Sequence, residues 1–234
     1  MTEKIVVSGG SRGLGKALVV KFLRQGHDVF AFSRSVEKQN DYFREVTADS
    51  SCGQLYLFPF DLVSGNFPLL AQEIKKTLGN VSRFVHNAGI LLNKPFLQTS
   101  LAEAEQIFRV NVLSLFPLIQ HLFPLLVSGS HIVNITSMGG FQGSVKFPGL
   151  SAYSASKGAL SVLTESLAAE FSNRPVFVNA LALGAVQTEM LSAAFPGYQA
   201  PLTAAEMADF VADFTLTGNR FFNGKILPVS VSTP

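Results

Sequence analysis

Apolar positions along the chain follow two rhythms. Short runs rich in β-branched and aromatic residues read as strands: Lys4–Ser8, Asp28–Ser33, Gln54–Phe60, Arg83–His86, His131–Thr136, Val176–Leu181 and Lys225–Val229. Between them lie longer segments that read as helices: Gly15–Gln25, Leu69–Leu78, Leu101–Val127 (with a bend at Pro117), Ser151–Phe171 and Thr203–Thr217. Gly26 and Gly79 close the first two, because glycine accepts the left-handed conformation that ends a helix. Strands that alternate with helices of this length need right-handed crossovers, and these generate a parallel sheet covered on both faces. The pattern therefore predicts an α/β fold: one doubly wound parallel sheet of about seven strands, in a single domain over residues 1–234.

Ligands of such open sheets bind beyond the carboxyl ends of the strands. Two loops there, 138–150 and 185–201, are the expected walls of a substrate site. The composition agrees with a packed core, with 47% hydrophobic and 15% charged residues; a disordered chain is excluded. Lys and Arg number 18 against 16 Asp and Glu, with no basic run, so neither nucleic acid nor an anionic membrane is an expected partner. Cys52 is alone, and His27, His86, His121 and His131 stand apart; no metal is expected. The apolar stretch Val110–Val127 carries Asn111, Ser114, Gln120, His121 and two prolines, which suits a buried or interface helix better than a membrane span. The first residues are too short and charged for a signal peptide, and the expected location is cytoplasmic.

The first strand runs directly into Ser8-Gly9-Gly10-Ser11-Arg12-Gly13-Leu14-Gly15 before a helix. Glycines there permit a tight turn and let a diphosphate approach the backbone at the helix's positive end. Ser11, Arg12 and Leu14 join Gly9, Gly13 and Gly15 as candidate cofactor contacts. Strand two ends at Ser33 and Arg34, where an NAD site would place a carboxylate for the ribose 2′-hydroxyl. With no carboxylate there and with two guanidinium groups, Arg12 and Arg34, a 2′-phosphate is favoured. The expected cofactor is NADP(H).

Tyr153 and Lys157 lie four residues apart in a helix and so share a face. An ammonium beside a phenol favours the phenolate, and such a tyrosine can exchange a proton with a carbonyl or alcohol oxygen.

Taken in order, the motifs resemble the classical short-chain dehydrogenase/reductase family. The glycine turn matches the family's T-G-x-x-x-G-x-G, with Ser8 for threonine. Asp61-Leu62 matches its adenine-contacting aspartate, Asn87-Ala88-Gly89 its N-A-G segment and Asn111 its helix asparagine. Ser137 and Tyr153-Ser-Ala-Ser-Lys157 match its catalytic serine and Y-x-x-x-K pair. The resemblance implies a Rossmann sheet with a bound nicotinamide cofactor. It implies catalytic roles for four residues: Tyr153 as general acid/base, Ser137 holding the substrate oxygen, Lys157 on the nicotinamide ribose and lowering the Tyr153 pKa, and Asn111 holding a relay water. It also implies that Gly184, Val186 and Thr188 face the carboxamide. Three departures stand out: Leu183-Gly184 replaces Pro-Gly, 16 residues separate Ser137 from Tyr153, and the chain ends without Asp-Gly-Gly.

The pocket walls carry Met138, Phe141, Phe147, Met190, Phe195 and Tyr198, with Lys146 and Glu189 as their only charges. The expected function is NADPH-dependent reduction of a small, mostly apolar ketone or aldehyde. An NAD-dependent alcohol dehydrogenase is opposed by Ser33-Arg34, and a non-catalytic NADP sensor by the complete set of four catalytic matches. The resemblance also implies a homodimer or homotetramer, since in the family these two long helices commonly pack across a two-fold axis; Ala155, Ala159, Leu163 and Leu167 with Leu115, Leu118 and Leu122 would form that interface.

Overall fold

The computed structural model describes residues 2–49 and 51–231. The chain forms β1 (Lys4–Ser8), α1 (Gly13–Arg24), β2 (Asp28–Ser33), α2 (Asn40–Val46), β3 (Leu55–Pro59), α3 (Phe67–Leu78) and β4 (Val81–His86). It continues through α4 (Leu101–Phe108), α5 (Leu115–Leu122), β5 (Leu126–Ser137), α6 (Ser151–Glu170) and β6 (Phe177–Leu183). It closes with β7 (Val186–Gln187), α7 (Glu189–Ala194), β8 (Leu202–Thr203), α8 (Ala204–Thr217) and β9 (Ile226–Val229).

Seven strands make one parallel sheet in the order β3-β2-β1-β4-β5-β6-β9. The winding reverses between β1 and β4, and this leaves a crevice at their carboxyl ends. Alternate strand residues face opposite ways and build two cores. Ile5, Val7, Val29, Val85, Val133 and Leu181 pack beneath α1 and α8. Val6, Phe30, Phe84, Ile132 and Val178 pack beneath α3, α5 and α6. The predicted doubly wound α/β sheet is the fold observed.

The stretch Leu101–Val127 departs from its predicted form as one helix bent at Pro117. It breaks earlier, at a π-turn over Arg109–Leu113, where Ser114 N–H reaches Arg109 O at 3.0 Å. Pro117 then falls in the first turn of α5, where its missing N–H costs nothing. The stretch Leu101–Leu125 has the length and apolarity of a membrane-crossing helix, but Ile107, Val112, Leu115, Leu118, Ile119 and Leu122 are buried within this chain. That corrects the expected interface: Leu115, Leu118 and Leu122 serve the chain's own core. The exposed large apolar residues of α4 to α6 include Leu101, Leu113, Phe116 and Val162; of the other expected interface residues, Ala155 is exposed and Ala159, Leu163 and Leu167 are half-buried. Strand β5 begins at Leu126, paired with Val81, five residues before the predicted His131.

Candidate active site

Each strand end contributes one part of the crevice. After β1 the chain turns through Gly13, whose φ of +52° is a left-handed value that glycine adopts without strain. Gly15 is packed so closely that a Cβ there would lie 2.1 Å from Gly9 O. Helix α1 follows with no side-chain cap and no acidic residue in its first turn. Its N-terminal N–H groups therefore have no carboxylate of their own helix, which suits a diphosphate. Gly9, Ser11, Arg12, Gly13 and Leu14 line the cleft. Gly15 is not among the lining residues, and its part is the close packing just described.

At the end of β2, Ser33, Arg34 and Ser35 line the cleft opposite Arg12. The Ser33 hydroxyl is buried, with no partner among the described residues. Asp61 and Leu62 follow β3; Asp61 Oδ1 accepts the Val63 N–H at 2.7 Å. After β4 come Asn87, Ala88 and Gly89. Ser8 Oγ accepts the N–H groups of Asn87 and Ala88, each at 3.1 Å. The Asn87 side chain donates to Gly9 O at 3.2 Å and so locks the two turns together.

Ser137 ends β5, with its Oγ accepting the Gly139 N–H at 3.1 Å. Across the sixteen-residue interval, α6 brings Tyr153 to line the same cleft as Ser137. One turn further, Lys157 is 3% exposed. Its Nζ donates to Ile135 O at 2.8 Å and lies 5.9 Å from the centre of the Tyr153 ring. Burial pushes the Tyr153 phenol above its ordinary value, opposed by the Ser137 hydrogen bond, and it lowers Lys157 to about 8. The expected lowering of the tyrosine by its lysine is thus outweighed here: both groups lose water, and in each the neutral form gains.

Asn111 stands behind the cleft and does not line it. It is fully buried in the π-turn, accepts the Ile90 N–H at 2.8 Å, and donates to Ile90 O and Ser156 Oγ at 3.0 Å each. After β6, Gly184, Val186 and Thr188 line the cleft. A Cβ on Gly184 would come within 2.4 Å of Ser230 Oγ, so glycine persists here although the preceding residue is leucine.

The cleft has a volume of about 630 Å³. Its far end is walled by Met138, Phe147, Leu150, Met190, Phe195 and Tyr198. Phe141, expected in this wall, lies outside it; its carbonyl accepts Lys146 Nζ at 2.6 Å. Lys146 is thereby drawn away from the cleft, whereas Glu189 lines it, with its Oε2 3.4 Å from where a Cβ on Gly13 would stand. Leu91, Gln106 and Val110 also line it, and the sequence did not point to them. Leu91 comes from the connection after β4, just beyond the Asn87–Gly89 segment, and Gln106 and Val110 come from the end of α4 and the π-turn, where no local pattern marks a pocket. That connection also clasps both walls: Lys94 N–H donates to Gly149 O at 2.9 Å, and Asn93 Nδ2 donates to Ala194 O at 2.8 Å.

Fold and site together define a nucleotide-binding α/β oxidoreductase with a serine–tyrosine–lysine centre. The short chain dehydrogenase family profile matches residues 3–199, and the chain belongs to that family. It is 32% identical over 211 residues to a 3alpha-hydroxysteroid dehydrogenase of Mediterraneibacter gnavus, covering 85% of this chain and 80% of that one. It is 31% identical over 191 residues to a 3-oxoacyl-(acyl-carrier-protein) reductase of Aquifex aeolicus, covering 79% and 74%. Among solved structures, a Shigella flexneri short chain dehydrogenase complexed with NADP superposes with a TM-score of 0.84 at 27% identity, covering 97% and 96%.

Proposed function

We propose that this oxidoreductase uses NADPH to reduce a small, mostly apolar ketone or aldehyde. The observation that carries the reading is the two-ended character of the cleft. One end presents Arg12, Ser33 and Arg34 with no carboxylate at Ser33, and the other presents the Ser137 and Tyr153 hydroxyls beneath an apolar wall. The uncapped N-terminus of α1 and the glycine turn would hold the diphosphate, Arg12 and Arg34 the 2′-phosphate, and Lys157 the nicotinamide ribose. Gly184, Val186 and Thr188 would face the carboxamide. When bound, the cofactor supplies the hydride.

The chain's own residues orient the substrate and handle the proton. Ser137 holds the carbonyl oxygen beside Tyr153. The Tyr153 phenol, kept protonated by burial, donates its proton to that oxygen as negative charge develops there. Lys157 keeps a positive charge beneath the phenol and stabilises the phenolate that remains. Asn111 acts from behind the cleft, by holding Ile90 and Ser156. The clasped walls exclude water and favour apolar groups. Among the described residues, no basic side chain joins the apolar wall of the substrate end, and this argues against a phosphopantetheine carrier despite the similarity to an acyl-carrier reductase. The exposed Leu101, Leu113, Phe116 and Val162 support a homo-oligomer through α4–α6.

The deciding experiment is fluorescence titration of NADPH and NADH against the wild type and Arg34→Ala. NADPH should bind the wild type at least about tenfold tighter, and the variant should lose most of that preference. Equal binding of the two cofactors by the wild type would refute the NADPH reading and redirect assays toward alcohol oxidation.

A further inference from the structure

Beneath Lys157, on the face of the sheet that α6 covers, three fully buried polar side chains stand in one row across neighbouring strands. Ser8 of β1 is paired in register with His86 of β4, and His86 with Asn134 of β5. Thr164 of α6, also fully buried, closes the row from above.

The hydrogen bonds fix which atom donates at each step. Ser8 Oγ already accepts two N–H groups, from Asn87 and Ala88. Its own proton therefore points to His86 Nδ1, 3.1 Å away. Nδ1 accepts, so the neutral ring carries its proton on Nε2. At the other end, Thr164 Oγ1 donates to Leu160 O at 2.8 Å. It must then accept from Asn134 Nδ2, also at 2.8 Å, which leaves Asn134 Oδ1 as the acceptor of that amide still without a partner among the described residues. One break remains. His86 Nε2 and Asn134 Oδ1 are both buried without a partner among the described residues, one a donor and the other an acceptor. Such a pair leaves a desolvation cost unless something joins it.

We propose that one internal water joins His86 Nε2 to Asn134 Oδ1, and that these two are positioning residues tying the Asn87–Gly89 turn to the catalytic helix α6. A water accepting from Nε2–H and donating to Oδ1 has the polar partners that an ordered internal water needs. The completed chain runs from the N–H groups of the cofactor-side turn, through Ser8, His86, water, Asn134 and Thr164, to the backbone of α6. It holds the two walls of the nicotinamide end at a fixed separation with a neutral ring under the Lys157 charge. The catalytic part rests on the reductase reading above; the hydrogen-bond order does not.

Two measurements test it. Long-range proton–nitrogen NMR of the histidine-labelled full chain at neutral pH should show His86 as the neutral Nε2–H tautomer. The Nδ1–H tautomer, or a charged ring, would overturn the proposal. For turnover, His86→Leu and Asn134→Leu should each lower kcat for NADPH-dependent ketone reduction by about tenfold, and the double variant should be no worse than either, because each cuts the same chain. His86→Asn, which can accept from Ser8 and donate onward, should recover kcat to within about threefold of wild type. Its melting temperature should still fall, because the smaller side chain leaves a void. Additive losses, or a His86→Asn variant as slow as His86→Leu, would assign His86 to packing alone and overturn the proposal. If the wild type reduces no carbonyl compound, the reductase reading falls; the same variants then report through NADPH dissociation constants, where a non-additive weakening is expected and equal constants overturn the chain.

Discussion

Tyr153 and Lys157 carry opposite consequences of the same burial. Water removal raises the phenol and lowers the ammonium to about 8. Near neutral pH the tyrosine therefore holds its proton and the lysine most of its charge, which is the state a carbonyl reduction needs at its start. Reductive kcat/KM should be level below pH 7 and fall as pH rises through about 8, where Lys157 loses its charge; a pH–rate profile checks this. Tyr153→Phe should lose about 10²–10⁴ in kcat, the range for a general acid, while NADPH still binds. Retained turnover in that variant would remove Tyr153 from the chemistry. The sequence showed that these side chains share a helix face, since spacing alone decides that. It did not show whether charge coupling or desolvation would prevail, because that depends on how deeply α6 sinks the lysine against β5.

At the scale of elements, legibility followed length. The long strands and the helices α1, α3, α6 and α8 repeat their apolar stripes often enough to be read directly. Helix α2, the six-residue α7 and the two-residue strands β7 and β8 have too few positions to show a period. They are held by partners distant in sequence, such as Val186 pairing with Leu202. The π-turn was hidden for a related reason. Its position depends on Asn111 being held by Ile90 and Ser156 as well as on Pro117. The start of α8 is a capping box: Thr203 Oγ1 accepts the Glu206 N–H at 3.2 Å, and Glu206 Oε2 accepts the Thr203 N–H at 2.8 Å. Thr203 also belongs to β8, the base of the substrate wall. Thr203→Ala should cost about 1 kcal/mol in urea unfolding, and it should raise KM for the carbonyl substrate more than it lowers kcat. Unchanged values of both would detach the cap from the wall.

The molecule as a whole carries its buried polar groups at both ends of the sheet. Opposite the cleft, His131 Nδ1 donates to Thr215 O at 3.0 Å while Nε2 accepts from Asn179 Nδ2 at 2.9 Å. This arrangement admits only the neutral ring, and burial lowers His131 to about 4 and His86 to about 3. Both folded values lie below the ordinary histidine value of 6.5. The unfolded chain therefore binds more protons as pH falls below 6.5, and stability present above that pH is lost on the way down to 4. His131 alone accounts for about 3 kcal/mol of that loss, and His86 adds in the same direction. Urea unfolding followed across this range should show a falling midpoint; a flat midpoint would mean that His131 accepts its charge in place. The overall architecture was readable because strand and helix alternate so regularly. The polar plug was not, because isolated histidines and asparagines carry no pattern until the sheet sets them side by side.

The short ribbon of β7 and β8 has one further consequence. It brings residues 187 and 203 into register, so the segment between them leaves the body of the protein and returns to it at a single point. A segment closed at its root can be exchanged without moving the scaffold that bears it. The seven-stranded sheet and its proton-handling centre would remain, while a transplanted segment reshapes what is admitted beneath it. New selectivity in this chain is therefore open to grafting at one locus, where a graft from another protein would have to match the side-chain tethers that Asn93 gives to Ala194 and Gln187 gives to Ser192 and Ala200.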